Sequence, residues 1–546
     1  MEMDVHDELL AAVLFIVFTM FTLWVFRKLW AVRKRKTIND TSSKSGHYWS
    51  PIEQNEQQHN YCSGCKQHVV SGYECDNCLL KVDNINCLRA ISTKIHCKVN
   101  QTLCRKETFD HHWICGNIGA DLFCEVCEEL CGGGVGLQDF RCSWCWRVVH
   151  TKCKPKFTLS CDFGRLQRTI IPPYCVTTRK PGNRNQRMML IKSPFQAVID
   201  KIEIPTDIEK WRPIMVIVNP KSGSGAGKQL LRNFRAHLHP AQVVDVLKSN
   251  ISASLRWIDE HPEVDVRILI AGGDGTICSA LDQIDTLSRR IPVAVLPLGT
   301  GNDLSRWLKW GKKCGGDIDV IKLMEDIQEA EVTLVDRWTI DAESQKKLGV
   351  RLQSNKTLSM TNYVSVGVDA CVTLGMQNTR ESIPRAMSSR LLNKFLFFTF
   401  GTKDVFERVC KGLNERIDLY LDDVHINLPD IEGLIFLNIP YWGAGVKPWA
   451  TYNASHRQEC DDETIEVFAV TSSFHIAQMQ IGLASPLCIG QAKHAKLVFK
   501  GNHSFPMQSD GEAWVNSAGT VLISHKCKTA MLRKAEKQST GCGMFF

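Results

Sequence analysis

The sequence lacks the two glycine fingerprints that most often identify nucleotide-binding loops. Its glycine-rich run from Gly223 to Lys228 misses the Walker spacing, because Gly223 is one residue too close to Gly227 and Gln229 follows Lys228. The same run misses the dinucleotide spacing G-x-G-x-x-G, because its third glycine comes early. A P-loop NTPase and a dinucleotide-binding unit are therefore not indicated, and the glycine loops need another interpretation.

Nucleic-acid recognition and disorder are also not indicated. No module with interleaved basic and aromatic residues is present, and the net charge of +8 is modest for 546 residues. The densest basic cluster lies beside the N-terminal apolar run, so a membrane surface explains it better than nucleic acid does. With 44% hydrophobic and 23% charged residues, the composition is globular, and the length allows several domains.

A buried strand that ends in a glycine turn is the most informative stretch. The apolar run 266–271 leads into Gly272-Gly273-Asp274-Gly275-Thr276. Such a run predicts a parallel strand whose carboxyl end lets a phosphate approach the backbone. Asp274 then lies where phosphate charge gathers, which is unfavourable unless a cation such as Mg²⁺ lies between them. We therefore expect the centre of an active site here.

Two further strands end in loops of the same kind. The run 211–219 precedes the glycine-rich segment 220–228, and the run 291–298 precedes Gly299-Thr300-Gly301-Asn302-Asp303. Three such units predict a doubly wound α/β sheet with a phosphorylated ligand in its switch-point crevice. The predicted nucleotide-binding residues are Asn219, Pro220, Lys221, Ser222, Gly223, Gly272, Gly273, Asp274, Gly275, Thr276, Gly299, Thr300, Gly301, Asn302 and Asp303.

The cysteines indicate metal binding. Of 24 cysteines, 16 lie between Cys62 and Cys175, and their C-x-x-C pairs with interleaved histidines favour metal over disulfides. Thiolate ligands imply a reducing compartment. Residues 111–161 supply eight ligands for two tetrahedral zinc ions: His111, Cys124, Cys127, Cys142, Cys145, His150, Cys153 and Cys161. Residues 47–97 supply a second set: His47, Cys62, Cys65, Cys75, Cys78, Cys87 and Cys97.

The segment 111–161 resembles the phorbol-ester/diacylglycerol-type (C1) zinc finger. The resemblance implies two interleaved sites, one with His111, Cys142, Cys145 and Cys161 and one with Cys124, Cys127, His150 and Cys153. His112 competes with His111, which we prefer because its His-x-Trp context matches the family's opening.

The segment 47–97 resembles the same module with one departure. Asp83 stands where the family has a histidine, and the gap to Cys87 is one residue longer than usual. An Asp oxygen can bind zinc, so the second site stays open, whereas His47, Cys75, Cys78 and Cys97 are the safer set. The two modules together are therefore expected to hold up to four zinc ions. The modules either bind lipid or only support the fold.

Residues 1–36 have the features of a membrane anchor. The stretch 9–26 is 18 residues without a charge, and as a helix it spans ~27 Å, which just covers a thin bilayer core. Acidic residues precede it and basic residues follow, so the bulk of the chain is expected in the cytosol. The position of the basic cluster disfavours a cleaved signal peptide, and a helix lying in one leaflet is the alternative.

Changes in pattern set the other boundaries. Residues 162–209 have little periodicity and contain Pro172-Pro173, which predicts a linker. The α/β domain then covers 210–342. From 360 to 526, short or alternating apolar runs between Gly, Asn and Asp turns predict an antiparallel β-rich domain.

Five motifs together resemble the catalytic and accessory regions of diacylglycerol kinases, within a wider group that includes sphingosine, ceramide and NAD kinases. They are NPKSG (219–223), GGDGT (272–276), LPLGTGNDLSR (296–306), NYVSVGVDA (362–370) and QSDGEAW (508–514). The resemblance covers most of the chain after about residue 210. It implies a membrane enzyme that uses ATP and Mg²⁺ to convert 1,2-diacylglycerol to phosphatidic acid.

The resemblance also implies the catalytic groups. Glu512 would be the general base, with Asp510 orienting it, since residues i and i+2 of a strand-like segment share a side. Asp274 is the alternative base, because related lipid kinases give that role to the aspartate of the G-D-G motif.

Finer features resemble the epsilon type most. These are the two zinc modules, the N-terminal apolar segment, and the lack of an EF-hand loop, an ankyrin period or an added lipid-binding module. That resemblance implies a preference for arachidonoyl-containing diacylglycerol and a location at the endoplasmic reticulum or plasma membrane. The other hypotheses are a sphingolipid or NAD kinase, of which the latter needs no anchor, and a lipid-sensing adaptor with an inert kinase half.

Overall fold

The computed structural model describes most of the chain after its N-terminal segment. The described residues are Thr19, Thr22, 45–52, 60–100, 108–119, 121–132, 134–179, 198–344, 346–347, 350–351, 355–382, 410–450, 457–501, 504–517 and 519–535. The predicted membrane helix over 9–26 lies outside them except for Thr19 and Thr22. Among the described residues, no helix combines the length and the apolar character that crossing a membrane requires.

Each zinc module is built on a small antiparallel sheet of three strands in the described part of the chain. The first has β1 (Trp49–Pro51), β2 (Tyr73–Cys75) and β3 (Lys81–Val82), followed by helix α1 (Ile85–Lys94); the second has β4 (Trp113–Cys115), β5 (Phe140–Cys142) and β6 (Val148–Val149). Units this small bury little apolar surface and need cross-links. Metal ligation by their cysteines would provide such cross-links, and three of these cysteines, Cys75, Cys97 and Cys142, are fully buried.

The described parts of the segment predicted as a linker, 162–209, pack against both of its neighbours: Ile170 joins a core with Trp144 of the second zinc module, and Leu166 joins a core of the α/β sheet. Its strands β7 (Val176–Arg179) and β8 (Val198–Ile202) pair antiparallel, and Ile199 is buried in the same apolar cluster as Trp211. The linker prediction is wrong for these residues, because short apolar segments can be buried without showing a clear period.

Parallel strands form the α/β core, as the sequence predicts. They are β9 (Ile214–Val218), β10 (Val243–Asp245), β11 (Arg267–Gly272) and β12 (Val293–Pro297), in the sheet order β10-β9-β11-β12. Ile268 and Ile270 pack on one face of the sheet, and Leu269 and Ala271 pack on the other. Burial on both faces explains why these strands read as uninterrupted apolar runs.

Helices cover both faces of this sheet. They are α2 (Ala226–His237), α3 (Ile251–Leu255), α4 (Trp257–Glu260), α5 (Asp274–Ile284), α6 (Asp303–Trp307) and α7 (Val320–Glu329). The strand order reverses between β9 and β11, so the loops after these two strands open into one crevice.

One long strand pair joins the two halves of the chain. Strand β13 (Glu331–Ser344) pairs antiparallel along its length with β26 (Gly519–Arg533), and β26 also pairs in parallel with β12. The predicted domain ends at 342 and 526 are therefore too early, because both strands continue past them within a single sheet.

The rest of the second half is antiparallel, as predicted. Its strands are β14 (Lys346–Lys347), β15 (Val350–Arg351), β16 (Lys356–Met360), β17 (Tyr363–Gly367), β18 (Ile417–Leu421), β19 (Val424–Ile426), β20 (Gly433–Leu437), β21 (Ile465–Val470), β22 (Leu487–Ala492), β23 (His494–Phe499), β24 (Ser504–Ser509) and β25 (Glu512–Ser517). One sheet has the order β22-β21-β20-β17-β24-β25, while β23, β18 and β19 extend the sheet of β26. Trp338, Phe436 and Phe499 belong to one core to which both sheets contribute.

Among the described residues, this half also has three helices: α8 (Val368–Ser382), α9 (Leu413–Arg416) and α10 (Ser473–Gln480). The predicted strand 362–370 ends at Gly367, which has a φ of 99°, and the chain continues as α8. A short apolar run fits a buried strand and a buried helix equally well, so periodicity alone could not place this end.

Candidate active site and zinc centres

The loop after β9 is a tight turn that leads into α2. Gly223, Ser224 and Gly225 all have positive φ, at 69°, 53° and 108°. The side-chain nitrogen of Asn219 donates to Thr276 Oγ1 at 2.9 Å, and this bond ties the first loop to the loop after β11.

The glycines of these loops are required by close approach of the backbone. A Cβ on Gly273 would lie 3.1 Å from the Cα of Gly299, and a Cβ on Gly299 would lie 2.8 Å from the Cα of Gly273. No side chain fits between the second and third loops. Helix α5 begins at Asp274, so its unpaired first N–H groups point into the space between the loops, where they favour an anion.

Asp274 is half-buried and lies beside other acidic groups. Its Oδ2 accepts a hydrogen bond from the Asn302 N–H at 3.0 Å, whereas Oδ1 is buried and has no hydrogen-bond partner among the described residues. Burial, together with the charges of Asp303 and Asp510, raises the pKa of Asp274 to about 7. A buried carboxylate oxygen without a donor fits a hard divalent cation, so this donor set fits Mg²⁺.

Asp510 lies in the turn of the β24–β25 hairpin, with a φ of 47°. Its carboxylate accepts three backbone hydrogen bonds, from the N–H groups of Thr361 at 2.7 Å, Asn362 at 2.8 Å and Tyr363 at 3.1 Å. The predicted strand-like placement of Asp510 and Glu512 is therefore wrong, because an Asp-Gly turn separates the two strands. Asp510 fixes the hairpin against the residues that lead into β17.

Glu512, the first residue of β25, reaches the second glycine loop. A Cβ on Gly275 would lie 2.9 Å from Glu512 Oε1, so this exposed carboxylate lies against the loop that carries Asp274. The turn before it is held by Gln508, whose side-chain oxygen accepts from the Gly511 N–H at 3.0 Å.

The loops and the hairpin border one open cleft with a volume of ≈ 2460 Å³. The predicted nucleotide-binding residues line it, except for Pro220, Gly272 and Asn302. Asn302 instead holds the third loop, because its side-chain nitrogen donates to Gly299 O at 2.8 Å.

The cleft also contains basic side chains that the sequence reasoning missed. They are Arg306, Lys312, Lys313, Lys356, Lys447 and Lys526. They come from segments far apart in the chain, so no local pattern marks them. Arg306 and Lys526 are paired with Asp303 and Asp282, whereas the other lysines, together with Lys221, bring the positive charge that a polyphosphate needs.

Three clusters of predicted zinc ligands converge as the resemblance implies. They are His47, Cys75, Cys78 and Cys97; His111, Cys142, Cys145 and Cys161; and Cys124, Cys127, His150 and Cys153. In each cluster the ligand atoms lie within 4.8 Å of one another, and His111 rather than His112 is the histidine in the second cluster. The remaining predicted ligands, Cys62, Cys65 and Cys87, form a fourth cluster with Asp83.

The geometry of the clusters fits zinc. The sulfur atoms of Cys142 and Cys161 are 3.9 Å apart, far beyond the ~2.05 Å of a disulfide. A tetrahedron with ~2.3 Å Zn–S bonds has edges of about 3.8 Å, close to this separation. Nε2 of His47 lies 3.0 Å from Ile95 O, and Nε2 of His150 lies 3.0 Å from Leu130 O, which leaves each Nδ1 for a metal.

Both zinc modules contact helix α2, whose N-terminus follows the first glycine loop. Asp76 of the first module lies 3.4 Å from Arg232 Nε. Trp146 of the second module stacks on His237, with ring centroids 3.8 Å apart. The modules are therefore packed against the α/β domain through helix α2.

Lys98 lies where the two modules and α2 meet. Its Nζ donates to Ala236 O at 2.6 Å and to Ser143 O at 3.3 Å, and it lies 4.5 Å from the centroid of the Trp144 ring. Burial lowers the pKa of Lys98 to about 8. The carbonyl groups at the end of α2 stabilise this buried cation.

Comparison with known families assigns the two larger domains. The diacylglycerol kinase catalytic domain matches residues 213–335, and the diacylglycerol kinase accessory domain matches residues 359–513. These two regions are similar to the two domains that make up diacylglycerol kinases. The phorbol esters/diacylglycerol binding domain (C1 domain) matches residues 111–164, which is the second zinc module. The cleft thus lies between the regions that match the catalytic and accessory domains.

Whole-chain relatives agree with the domain matches. The chain is 30% identical over 513 residues to "Probable diacylglycerol kinase 3" of Caenorhabditis elegans, covering 86% of this chain and 62% of that protein. It is 35% identical over 344 residues to "Diacylglycerol kinase theta" of Mus musculus, covering 61% of this chain and 36% of that protein. The chain therefore spans less than two thirds of the length of these curated relatives.

The chain is also similar to a solved structure. It is a crystal structure of a diacylglycerol kinase from Bacillus anthracis str. Sterne, at 16% identity and a TM-score of 0.35, covering 59% of this chain and 96% of that one.

Proposed function

We propose that this chain is an ATP-dependent diacylglycerol kinase that phosphorylates 1,2-diacyl-sn-glycerol to phosphatidic acid. The observation that carries the proposal is the contact between Glu512 and Gly275. It brings an exposed carboxylate of the accessory domain beside the Gly-Gly-Asp loop of the catalytic domain. Phosphorylation of an alcohol needs a held γ-phosphoryl group, charge balance and a proton acceptor, and the cleft contains groups suited to each.

In this proposal, different residues bind the triphosphate, balance its charge and accept the proton. The N–H groups at the start of α5 and Lys221 of the first glycine loop hold the triphosphate of ATP. Asp274 would hold Mg²⁺, which when bound neutralises charge on the phosphate oxygens. Glu512 accepts the proton of the diacylglycerol hydroxyl while that oxygen bonds to the γ-phosphorus. The bond from the γ-phosphorus to the bridging oxygen breaks, and ADP leaves with that electron pair.

The surroundings of the two candidate bases favour Glu512. Glu512 is exposed to the cleft, where an incoming hydroxyl can reach it. Asp274 is half-buried: one of its oxygens accepts the Asn302 N–H, and the other is shielded from solvent. We therefore assign the base role to Glu512 and the cation-holding role to Asp274.

A substrate panel tests the proposal directly. The full chain is assayed with γ-labelled ATP and Mg²⁺ against diacylglycerol, sphingosine and ceramide in mixed micelles, and against NAD in solution. Transfer to diacylglycerol above the others supports the proposal. Preferred transfer to sphingosine, ceramide or NAD would reassign the substrate, and no transfer to any acceptor would favour an inert adaptor.

The finer assignment to the epsilon type is also a proposal, and it rests on the sequence resemblance alone. It implies a preference for arachidonoyl-containing diacylglycerol. Competition between 1-stearoyl-2-arachidonoyl and dioleoyl species in one micelle measures that preference, and equal use of both would remove it.

Residues 1–36 are proposed to anchor the kinase to the endoplasmic reticulum or plasma membrane, in one pass or in one leaflet, with the catalytic part in the cytosol. The uncharged stretch 9–26 and the basic residues after it support this. Deleting residues 1–36 should release the protein from alkaline-washed membranes and preserve activity on micellar substrate. Full retention on membranes would contradict the anchor.

A further inference from the structure

We propose that the first zinc module holds its second metal ion in a site of three cysteines and one aspartate: Cys62, Cys65, Asp83 and Cys87. Asp83 Oδ1 lies 3.3 Å from Cys62 Sγ, and Asp83 Oδ2 lies 3.3 Å from Cys65 Sγ. The four ligand atoms lie within 4.8 Å of one another, the same limit that holds for the three histidine-containing clusters.

Asp83 occupies the place that His150 has in the second module. Each residue directly follows the last short strand of its sheet, β3 or β6. The Asp83 N–H donates to Cys62 Sγ at 3.4 Å, and the His150 N–H donates to Cys124 Sγ at 3.4 Å. The matching backbone bonds make the aspartate a replacement for the histidine at one ligand position.

The longer gap to Cys87 is absorbed by a helix cap. Asn84 caps α1, and its side chain accepts from the Cys87 N–H at 3.0 Å. Cys87 therefore lies in the first turn of α1, where the helix dipole stabilises a thiolate. The one-residue insertion leaves Cys87 facing the cluster.

The aspartate makes this site the most easily emptied of the four. Zinc prefers thiolate and imidazole ligands to a single carboxylate oxygen in such closed structural sites. Cys65 is exposed and Asp83 is half-buried, whereas all four ligands of the His47 and His111 clusters are buried. The Cys124 cluster also has an exposed cysteine, Cys127, but it keeps a histidine where this site has the aspartate. We expect one rapidly released zinc ion and three slowly released ions per chain.

Zinc content and release measure the site without reference to activity. The zinc bound to the full chain is quantified first. The rate at which this zinc is transferred to a chromogenic chelator is then measured. Asp83→Ala should lower the zinc content from four ions to three and remove the fast phase. Asp83→His should keep four ions and slow the fast phase at least about tenfold.

The matched control is Glu125→Ala, which removes an exposed carboxylate between two zinc cysteines of the second module. It should keep four ions and wild-type release. Four ions with wild-type release in Asp83→Ala would overturn the proposal. If Asp83→Ala does not fold, an unchanged fast phase in Asp83→His would overturn it equally.

A separate observation points to a membrane-contact surface on the accessory domain. We infer that the side chains of Phe474, Ile481 and Leu483, named here the apolar rim, contact the bilayer that holds the lipid substrate. These side chains are 64%, 71% and 74% exposed. They lie in the run 467–492, which contains no Asp, Glu, Lys or Arg.

The apolar rim belongs to a segment that also borders the reacting groups. Met479, Gln480, Gly482 and Ala484 line the same cleft as Asp274 and Glu512. Ile476 and Met479 are buried in a core with Trp442, so α10 is anchored while the rim side chains point away from that core. The rim is thus a fixed edge of the cleft.

A bilayer is the occupant that this edge fits. This inference rests on the proposed function, because a diacylglycerol keeps its acyl chains in the bilayer while its hydroxyl reaches Glu512. Uncharged apolar side chains gain by entering the acyl region, and the exposed Lys312, Lys313 and Lys447 at the same cleft suit anionic headgroups.

Kinetics on two forms of substrate test the rim. With the full chain and diacylglycerol in anionic phosphatidylserine vesicles, the double variant Ile481→Ser/Leu483→Ser should raise the surface KM on the order of tenfold, with the ATP KM unchanged. With monomeric dihexanoylglycerol its activity should equal wild type. The control is Val424→Ser, which removes a side chain 62% exposed on β19, away from the cleft.

The possible outcomes distinguish a failure of the proposed function from a failure of the apolar-rim inference. Wild-type protein that phosphorylates neither substrate contradicts the proposed function. Active wild-type protein with an unaffected double variant on vesicles overturns the apolar rim. Equal loss on both substrates, or an altered oligomeric state, would mean that protein covers this surface, and it would also overturn the inference.

Discussion

Two carboxylates more than two hundred residues apart in the sequence meet in the cleft, and their surroundings give them different chemistry. Asp274 is half-buried beside Asp303 with one carboxylate oxygen shielded from solvent, so its charged form is costly unless a cation balances it. Glu512 is exposed and lies against a glycine, which leaves its carboxylate open to an incoming hydroxyl. Charge balance and proton transfer are thus assigned to separate residues.

Substitution of Glu512 by Gln separates these roles. The amide keeps the shape of the side chain but cannot accept a proton, so kcat should fall by ~10²–10⁴-fold while ATP affinity is unchanged. Label transfer measures the rate and calorimetric titration measures ATP binding. Glu343→Gln, which changes an exposed glutamate outside the cleft, should match wild type. If Glu512→Gln stayed active while Asp274→Asn lost only turnover, Asp274 would be the base.

A buried glutamate far from the chemistry gives a pH prediction. Glu466 on β21 accepts from the side-chain nitrogens of Gln458 at 2.9 Å and Gln491 at 3.1 Å. Burial raises the pKa of Glu466 to about 8 from 4.5. Because the folded state binds the proton more tightly than the unfolded state, stability falls as pH rises from 4.5 towards about 8.

Glu466→Gln should remove that loss. Thermal melts across this range should show equal midpoints near pH 4.5 and a higher midpoint for the variant above pH 8. A difference between the two proteins that does not grow with pH would show that Glu466 is ionised when folded.

At the scale of elements, the local units were predictable and their partners were not. The strands β9, β11 and β12 fall within three residues of the predicted runs, because burial on both faces leaves a clear apolar signal. The pairing of β13 with β26 joins segments far apart in sequence, and no local pattern encodes it. The hairpin at Asp510-Gly511 could have been predicted, since Asp-Gly between two apolar runs indicates a two-residue turn.

A substitution in α2 tests how closely this helix packs against the first glycine loop. A Cβ on Gly227, in the first turn of α2, would lie 2.3 Å from Asn219 O. Gly227→Ala should displace the loop, destabilise the fold by ~1–3 kcal/mol and weaken ATP binding. Denaturant unfolding and ATP titration measure the two effects. Gly315→Ala is the control, because its nearest neighbouring atom is 3.9 Å away, and equal behaviour of both variants would refute the close contact.

At the scale of the whole molecule, the zinc modules and the kinase domains form one connected unit. The sequence predicted the modules and most of their ligands, but it gave no sign that they pack on α2. The contacts of Lys98 and the stacking of Trp146 on His237 join side chains from three parts of the chain, and each lies in an unremarkable local sequence. Loss of a zinc ion should therefore change the conformation of the first glycine loop.

Cys142→Ser tests that connection. Cys142 is fully buried, and losing it opens the site that it shares with His111, Cys145 and Cys161. The next residue, Ser143, accepts the Lys98 hydrogen bond, so disorder in the module should loosen the end of α2 whose other end follows the first glycine loop. We expect less bound zinc, a melting midpoint lower by several degrees, and weaker ATP binding.

Cys488→Ser is the matched control, because Cys488 is half-buried and belongs to none of the ligand clusters among the described residues. It should keep the zinc content, the melting midpoint and the ATP affinity of wild type. If Cys142→Ser lost zinc but kept both the kinase melting transition and the ATP affinity, the zinc modules would fold independently of the kinase. The contacts at Lys98 would then bring the module and α2 together without linking their stabilities, because linked units would respond together to the loss of one zinc ligand.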